Sequence, residues 1–260
     1  MSGPRSSLAS FGRFLLPATV LAGALALWGT LCASGVFPHS LFPTPWDVLE
    51  GLRQEISSGR LINDVIASLF RVAVGFSVGV MLGVPAGLWL GHSARARAAF
   101  LPGVNFFRAL SPLAWLGFAI LWFGIGDRSS IFLIFMATFF PLVLATVAAV
   151  DNIPAVYFRV ARDYGLRGRE MLLQVTLPAI MPQLITVLRV TAGLAWVVVV
   201  AAEMNGAQEG LGFAIIDARN ALAPEMLVAN MIVIGLIGVL LDRLLLGLTQ
   251  IPSVRWGYER

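Results

Sequence analysis

Apolar positions along the chain gather into long runs separated by short polar gaps, and each run is long enough to cross a bilayer. A helix needs about 20 predominantly apolar residues to span a hydrocarbon core of about 30 Å. The runs are Phe14–Ala33, Ile66–Leu90, Phe100–Ile125, Ile131–Val150, Ile185–Met204 and Met226–Leu248, which predicts six membrane-spanning helices. The first run follows Arg5 and Arg13 and could pass for a cleaved leader. It is long for a leader's apolar core and carries Trp28 near its far end, so it is read as a retained helix. The third region is interrupted by Pro102 and by Ser111-Pro112, which predicts a kink or a division into two pieces. Gly126-Asp127-Arg128-Ser129 makes the turn into the fourth span, and Asn205 to Pro224 reads as a polar loop before the sixth.

Between the first two runs lies a segment too short and too mixed to span. Thr44 is placed to cap a helix that Pro45 opens. Trp46, Leu49, Leu52 and Ile56 fall near one face of it, against Asp47, Glu50, Arg53 and Glu55, which predicts a helix lying on a membrane surface. The second span shows another period. Gly75, Gly79, Gly83, Gly87 and Gly91 repeat every four residues, a side-chain-free stripe that lets another helix backbone approach closely.

Composition agrees with this pattern. The chain has 260 residues, 58% hydrophobic and 12% charged, with a mean hydropathy of +0.85. A soluble domain carries roughly 25% charged residues, so most of this surface faces something other than water. All 18 basic residues are arginine, and they sit mainly in the gaps between runs rather than on one basic face, which argues against nucleic-acid binding. The absence of lysine excludes a Walker-A phosphate loop, so any ATP that drives this protein is bound by another chain. The single Cys32 cannot form an intrachain disulfide, and His39 and His92 lie far apart with no further ligand at metal spacing. Neither histidine falls within a span, which weighs against an intramembrane hydrolase. With the N-terminus in the cytoplasm, eleven arginines fall in inside segments and four (Arg53, Arg60, Arg128 and Arg219) outside, favouring both termini inside. Arg71, Arg108 and Arg189 lie within spans, and Arg71 is expected to snorkel to the interface.

On that topology residues 151–178 form a cytoplasmic loop, long for a connection that usually takes about two to eight residues. It contains Val160-Ala161-Arg162-Asp163-Tyr164-Gly165 and, further on, Val175-Thr176-Leu177-Pro178. This predicts a short helix ended by Gly165, a turn to Gly168, and a second helix that enters the membrane at Leu177-Pro178. The loop resembles the EAA motif of bacterial ABC importer permeases: Glu-Ala-Ala, three residues, Gly, nine residues, then Ile-x-Leu-Pro. Ala161, Gly165, Leu177 and Pro178 match, Val175 replaces the isoleucine, and Arg159-Val160 stand where the motif has Glu-Ala. Further stretches resemble the subfamily importing nitrate, taurine, alkanesulfonates and related small anions. They are Ser68-Leu69-Phe70-Arg71 with the glycine ladder, Pro112-Leu113-Ala114, Leu121-Trp122-Phe123-Gly124-Ile125-Gly126, Ala202-Glu203-Met204, Gly210-Leu211-Gly212 and Asp217-Ala218-Arg219-Asn220.

The resemblance implies an all-α integral membrane fold, the six-helix type I ABC importer (MetI-like) permease bundle, in the bacterial cytoplasmic membrane. It implies residues 1–64 as an N-terminal transmembrane helix plus a periplasmic surface helix, 65–250 as the permease core, and 251–260 as a cytoplasmic tail. Two permease copies, two ATPase subunits binding ATP and Mg, and a periplasmic substrate-binding protein would complete the transporter. Ala161, Arg162, Asp163, Tyr164, Gly165 and Leu166, with Leu177 and Pro178 behind them, would form the coupling element gripped by the ATPase. A channel or secondary carrier would instead work without an ATPase and leave this arginine-rich loop without a partner.

Within the spans, Ser111, Trp115, Thr191 and Trp196 are candidates to line a pathway, or else to pack between helices. Glu203 reads either as a gate or pathway contact or as the structural partner of an outer-loop arginine such as Arg219. Arg189 reads as an anion attractor or a snorkelling cation, and Asp242-Arg243 as a structural pair near the inner interface.

Overall fold

The computed structural model describes residues 6–35, 38 and 41–247, with side chains from Leu16 onward. His39 and the tail at 251–260 lie outside these residues. The described chain is helical throughout, in the order α1 (Ser6–Ala33), α2 (Pro45–Ser57), α3 (Arg60–His92), α4 (Ala94–Ala109), a 3-10 turn (Pro112–Trp115), α5 (Leu116–Phe123), α6 (Asp127–Asp151), α7 (Ala155–Asp163), α8 (Gly168–Met171), a π turn (Leu172–Thr176), α9 (Leu177–Gly206), α10 (Leu211–Asn220) and α11 (Pro224–Gly247). Among the described residues five helices are long and apolar enough to cross a membrane, and α4 with the Pro112–Phe123 segment makes a sixth span bent by 89°.

Among the described residues, one compact unit lies within 6–61 and 215–232. In it α2 starts on the expected cap: the Thr44 hydroxyl accepts from the Asp47 N–H, and the Asp47 carboxylate accepts from the Thr44 N–H at 2.9 Å. This reciprocal pair satisfies two donors that a helix start would otherwise orphan. The Trp28 indole N–H donates to the Pro43 carbonyl at 3.1 Å and fastens the connection to α1. Arg60 pairs with Asp217 at 2.6 Å.

The other unit comprises, among the described residues, 62–214 with 233–247, and α6 is its centre. The glycine stripe of α3 lies along α6 in register. A β-carbon at Gly75 would meet Ile134 at 2.8 Å, one at Gly83 would meet Leu142 at 3.1 Å, one at Gly87 would meet Thr146 at 2.5 Å, and one at Gly91 would meet Val150 at 2.9 Å. Gly79 faces Thr138 in the same series. Both sets of positions step by four and rise together, so α3 and α6 run in the same direction with their i±4 rows in contact. Elsewhere on α6, Leu133 and Ala137 pack on Ala119 of α5 and on Val198 and Ala202 of α9. Val143 and Val147 pack on Ala96 and Val104 of α4.

The bent pair therefore follows α6 along its length. It begins beside the α6 C-terminus, where Arg97 binds Asp151 at 2.6 Å. It ends beside the α6 N-terminus, where the Gly126 N–H donates to the Gly206 carbonyl at 2.8 Å. This is one broken crossing, not a loop that enters and leaves by the same side. Pro102 lies inside the continuous helix α4, and the break falls at Leu110 and Ser111, both extended (ψ 133° and 130°). Pro112 drives Ser111 out of the helical region, because its ring crowds the preceding residue. Aromatic rings fill the bend: Phe107 stacks on Phe140 at 5.4 Å, and Trp115 meets Phe107 at 6.0 Å and Phe132 at 6.5 Å.

Part of the region expected to be a polar loop is α10. Leu211, Ala214 and Ala218 are buried at helical spacing along it. Ten residues with Asp217 and Arg219 among them are too few and too polar to register as an apolar run.

Candidate functional site

The segment between α6 and α9 is built as a rigid projection. Pro154 opens α7, where a missing N–H costs nothing because the first turn of a helix has no acceptor for it. The helix ends at Gly165, whose φ of +82° is accessible to glycine at no steric cost. There the Leu166 N–H donates to the Ala161 carbonyl at 3.0 Å and the Gly165 N–H to the Arg162 carbonyl at 2.9 Å, closing the helix end with a Schellman pair. Ala161 is buried beneath this turn. Phe158, one turn earlier, packs against the cluster of Ala149, Val150, Ile153 and Ile180 at the ends of α6 and α9. The element is thus clamped at both ends and from below.

Its other face is open. Val156, Tyr157, Val160 and Tyr164 are exposed, Tyr164 at 82%, while Arg159, Arg162 and Arg167 surround them. Asp163 is exposed as well, and Leu166 is half-buried. An apolar ridge rimmed by arginines has no solvation reason to project into water, and such patches mark interaction surfaces.

Leu177 and Pro178 start α9 directly after the π turn. Pro178 has no N–H for the carbonyl four residues back, and a wider turn before it absorbs the lost bond. His92 at the end of α3 reaches the same turn. Its Nδ1 lies 2.9 Å from the Leu88 carbonyl and so donates to it, and its Nε2 lies 3.0 Å from the Thr176 hydroxyl.

At the opposite end of the unit lies a buried charge network that the apolar pattern does not reveal. Arg71 is 1% exposed rather than snorkelling, and Glu203 is fully buried beside it. The Arg71 Nη1 donates to Glu203 Oε1 at 2.7 Å and to the Glu209 carbonyl at 2.7 Å, and its Nε donates to Asp127 Oδ1 at 2.7 Å. Glu203 Oε2 accepts from the Ser68 hydroxyl at 2.8 Å and from the Gly212 N–H at 2.9 Å. Asp64 takes the Gly210 N–H at 2.7 Å. The partner of Glu203 is therefore Arg71 and not Arg219. The guanidinium fork suits this task because it presents several donors in one plane. The signal available in the sequence was an acid and a base both at membrane depth, which need one another there.

The candidate pathway residues separate into two groups. Ser111 is exposed at the break and Trp115 is half-buried beside it. Thr191, Trp196 and Glu203 are turned into the fold: the Thr191 hydroxyl donates to the Val187 carbonyl at 2.8 Å and the Trp196 indole N–H to the Ile234 carbonyl at 3.1 Å. The polar atoms of these three are taken up inside the fold. Arg189 is paired with Asp242 through two contacts of 2.6 and 2.7 Å, so Asp242 is bound by α9 rather than by its neighbour Arg243. Among the described residues there is no cluster of three metal-ligating side chains.

Residues 79–251 match the family described as binding-protein-dependent transport system inner membrane component. The taurine transport system permease protein TauC of Escherichia coli is 34% identical over 227 residues, covering 85% of this chain and 82% of that protein. The putative aliphatic sulfonates transport permease protein SsuC of Bacillus subtilis is 32% identical over 228 residues, covering 88% and 81%. The nitrate import permease protein NrtB of a Synechocystis species is 33% identical over 240 residues, covering 89% and 86%. Among solved structures, an inward-facing form of the MetNI methionine ABC transporter matches with a TM-score of 0.60 at 21% identity, over 73% of this chain and 96% of that one, which establishes the fold. The chain belongs to the binding-protein-dependent inner membrane component family and is a permease subunit of an ATP-binding-cassette importer.

Proposed function

We propose that this permease carries a small oxyanion of the nitrate or sulfonate class and is driven through α7. The named cargoes of its relatives, taurine, aliphatic sulfonates and nitrate, support the class. The observation that carries the drive mechanism is the exposed ridge of Val156, Tyr157, Val160 and Tyr164 on a helix held rigidly by Phe158, Ala161 and Gly165.

Two copies form the pathway, and two ATPase subunits, which bind the ATP and Mg, each receive one α7 in a surface groove. Ala161 to Leu166 form the gripped element, and Leu177 and Pro178 pass the displacement into α9. A periplasmic binding protein delivers the cargo. The arginine distribution favours both termini and the 151–178 segment on the cytoplasmic side of a bacterial cytoplasmic membrane, with α2 on the periplasmic surface. Residues 1–64, 65–250 and 251–260 then serve as anchor, core and tail. The chain itself supplies a path and a lever, and the bond-breaking chemistry belongs to its partner.

Co-purification with the ATPase subunit tests this reading. Val160→Asp and Tyr164→Ala change only exposed side chains, and each is expected to weaken association or coupled hydrolysis at least tenfold. Gly165→Asp, which strains the left-handed turn, is expected to do the same with the spans still folded. Normal coupling in all three would refute α7 as the lever.

A further inference from the structure

Three arginines, Arg71, Arg108 and Arg189, lie within the apolar runs, and two of them are neutralised by carboxylates in the chain. Arg108 is different. It is exposed, and among the described residues it has neither an ion pair nor a side-chain hydrogen bond. Asn105 lies three residues earlier and so shares its helix face.

Both border an open groove of about 540 Å³ between α4 and α6, whose far wall includes Pro141, Leu144 and Ala148. Phe107, next to Arg108, stacks on Phe140 near the middle of the 25-residue α6, so Arg108 is close to half-way across the membrane. A cation facing hydrocarbon at that depth lowers the insertion equilibrium by roughly a hundredfold or more. The position is tenable if the groove holds water, and Asn105 stands beside Arg108 on its α4 wall. Among the described residues the one acid bordering it is Asp151, and Arg97 already binds both its oxygens at 2.7 and 2.6 Å. The groove thus carries one unopposed positive charge.

We infer that Arg108 and Asn105 form an anion-binding subsite midway along the translocation path, with the guanidinium and the carboxamide N–H donating to the oxygens of a small oxyanion. This rests on the reading of the cargo as an anion. The planar guanidinium fork matches two oxygens of a nitrate, carboxylate or sulfonate group. A phospholipid phosphate is a poor occupant, because the headgroup layer lies about 15 Å from the bilayer midplane. Both side chains remain open to the groove, so an anion is held without being enclosed, as conduction requires.

Two measurements test this in the complete complex with its ATPase and binding protein. The first places Asn105→Cys in a Cys32→Ala background and compares its labelling by an anionic (sulfonatoethyl) and a cationic (trimethylammonioethyl) methanethiosulfonate. One charge about 6 Å away in water favours the anion over the cation by about tenfold. Arg108→Gln is expected to abolish that preference and Arg108→Lys to keep it. Failure of both reagents to react would show lipid or a second copy covering the site, and a preference indifferent to Arg108→Gln would remove the charge from the path. Either result overturns the subsite.

The second measurement is uptake of nitrate and of ethanesulfonate into proteoliposomes. Arg108→Gln is expected to lower it at least tenfold, with recovery in Arg108→Lys. Unchanged uptake in Arg108→Gln overturns the subsite. A native complex that takes up neither probe, while the labelling preference persists, overturns the cargo class and leaves the electrostatic site standing.

Discussion

Removing Arg71 should cost more than any other single side-chain change in the described bundle. In Arg71→Met, Glu203 stays buried and loses its only charged donor, while its other oxygen keeps Ser68 and the Gly212 N–H. An uncompensated buried charge costs about 3–5 kcal/mol. The orphaned Glu209 carbonyl adds about 1 kcal/mol. Asp127 and Glu209 are 49% and 61% exposed and can be rehydrated, so their lost contacts add little. The expected loss is about 4–6 kcal/mol, a large share of the roughly 5–15 kcal/mol that holds a domain folded. The double variant Arg71→Met with Glu203→Gln removes the bare charge and keeps an acceptor for Gly212, so it should recover at least half of the loss. Reversible unfolding in mixed detergent micelles, titrated with dodecyl sulfate, measures all four corners of this cycle. A stability of Arg71→Met within about 1 kcal/mol of the native protein, or no recovery on adding Glu203→Gln, would refute the buried-charge account.

Gly87→Ala forces a β-carbon to 2.5 Å from Thr146 and should destabilise by about 1–3 kcal/mol, whereas Gly193→Ala meets nothing and should be neutral or slightly stabilising in the same titration. Phe158→Ala removes the side chain beneath α7. Trypsin is then expected to cut faster at Arg159, Arg162 and Arg167 while α6 and α9 stay protected, as judged by mass spectrometry of the fragments. Arg97→Gln frees the Asp151 carboxylate and should reduce the anion preference of Asn105→Cys labelling, in the direction opposite to a gain of positive charge.

Much of this architecture could be read from the chain because lipid imposes strict rules on it. A span must be apolar for about 20 residues, so the six crossings appear as six runs, and a four-residue glycine stripe can serve close packing and little else. The left-handed turn at Gly165 was legible because few other residues fit there. What the pattern could not convey was pairing across distance. Nothing local in Arg71 announces that Glu203, Asp127 and Glu209 converge on it, and an arginine near the end of a run equally fits snorkelling. Helix α10 escaped notice because burial by neighbours, not its own composition, defines its inner face. The two prolines of the third region act differently, Pro102 sitting within a helix and Pro112 just past the end of one, and nothing in the ring itself distinguishes them.

The interlocked rows of α3 and α6 have a mechanical consequence. With α3 bare of side chains at five successive steps and the side chains of Ile134, Thr138, Leu142, Thr146 and Val150 seated against it, the two cannot slide or roll past one another without collision, so they behave as a single beam. Whatever alternation the transporter undergoes must then be taken up elsewhere. The crossing broken at Ser111-Pro112, where the helical hydrogen-bond ladder is already interrupted, is one joint outside that beam.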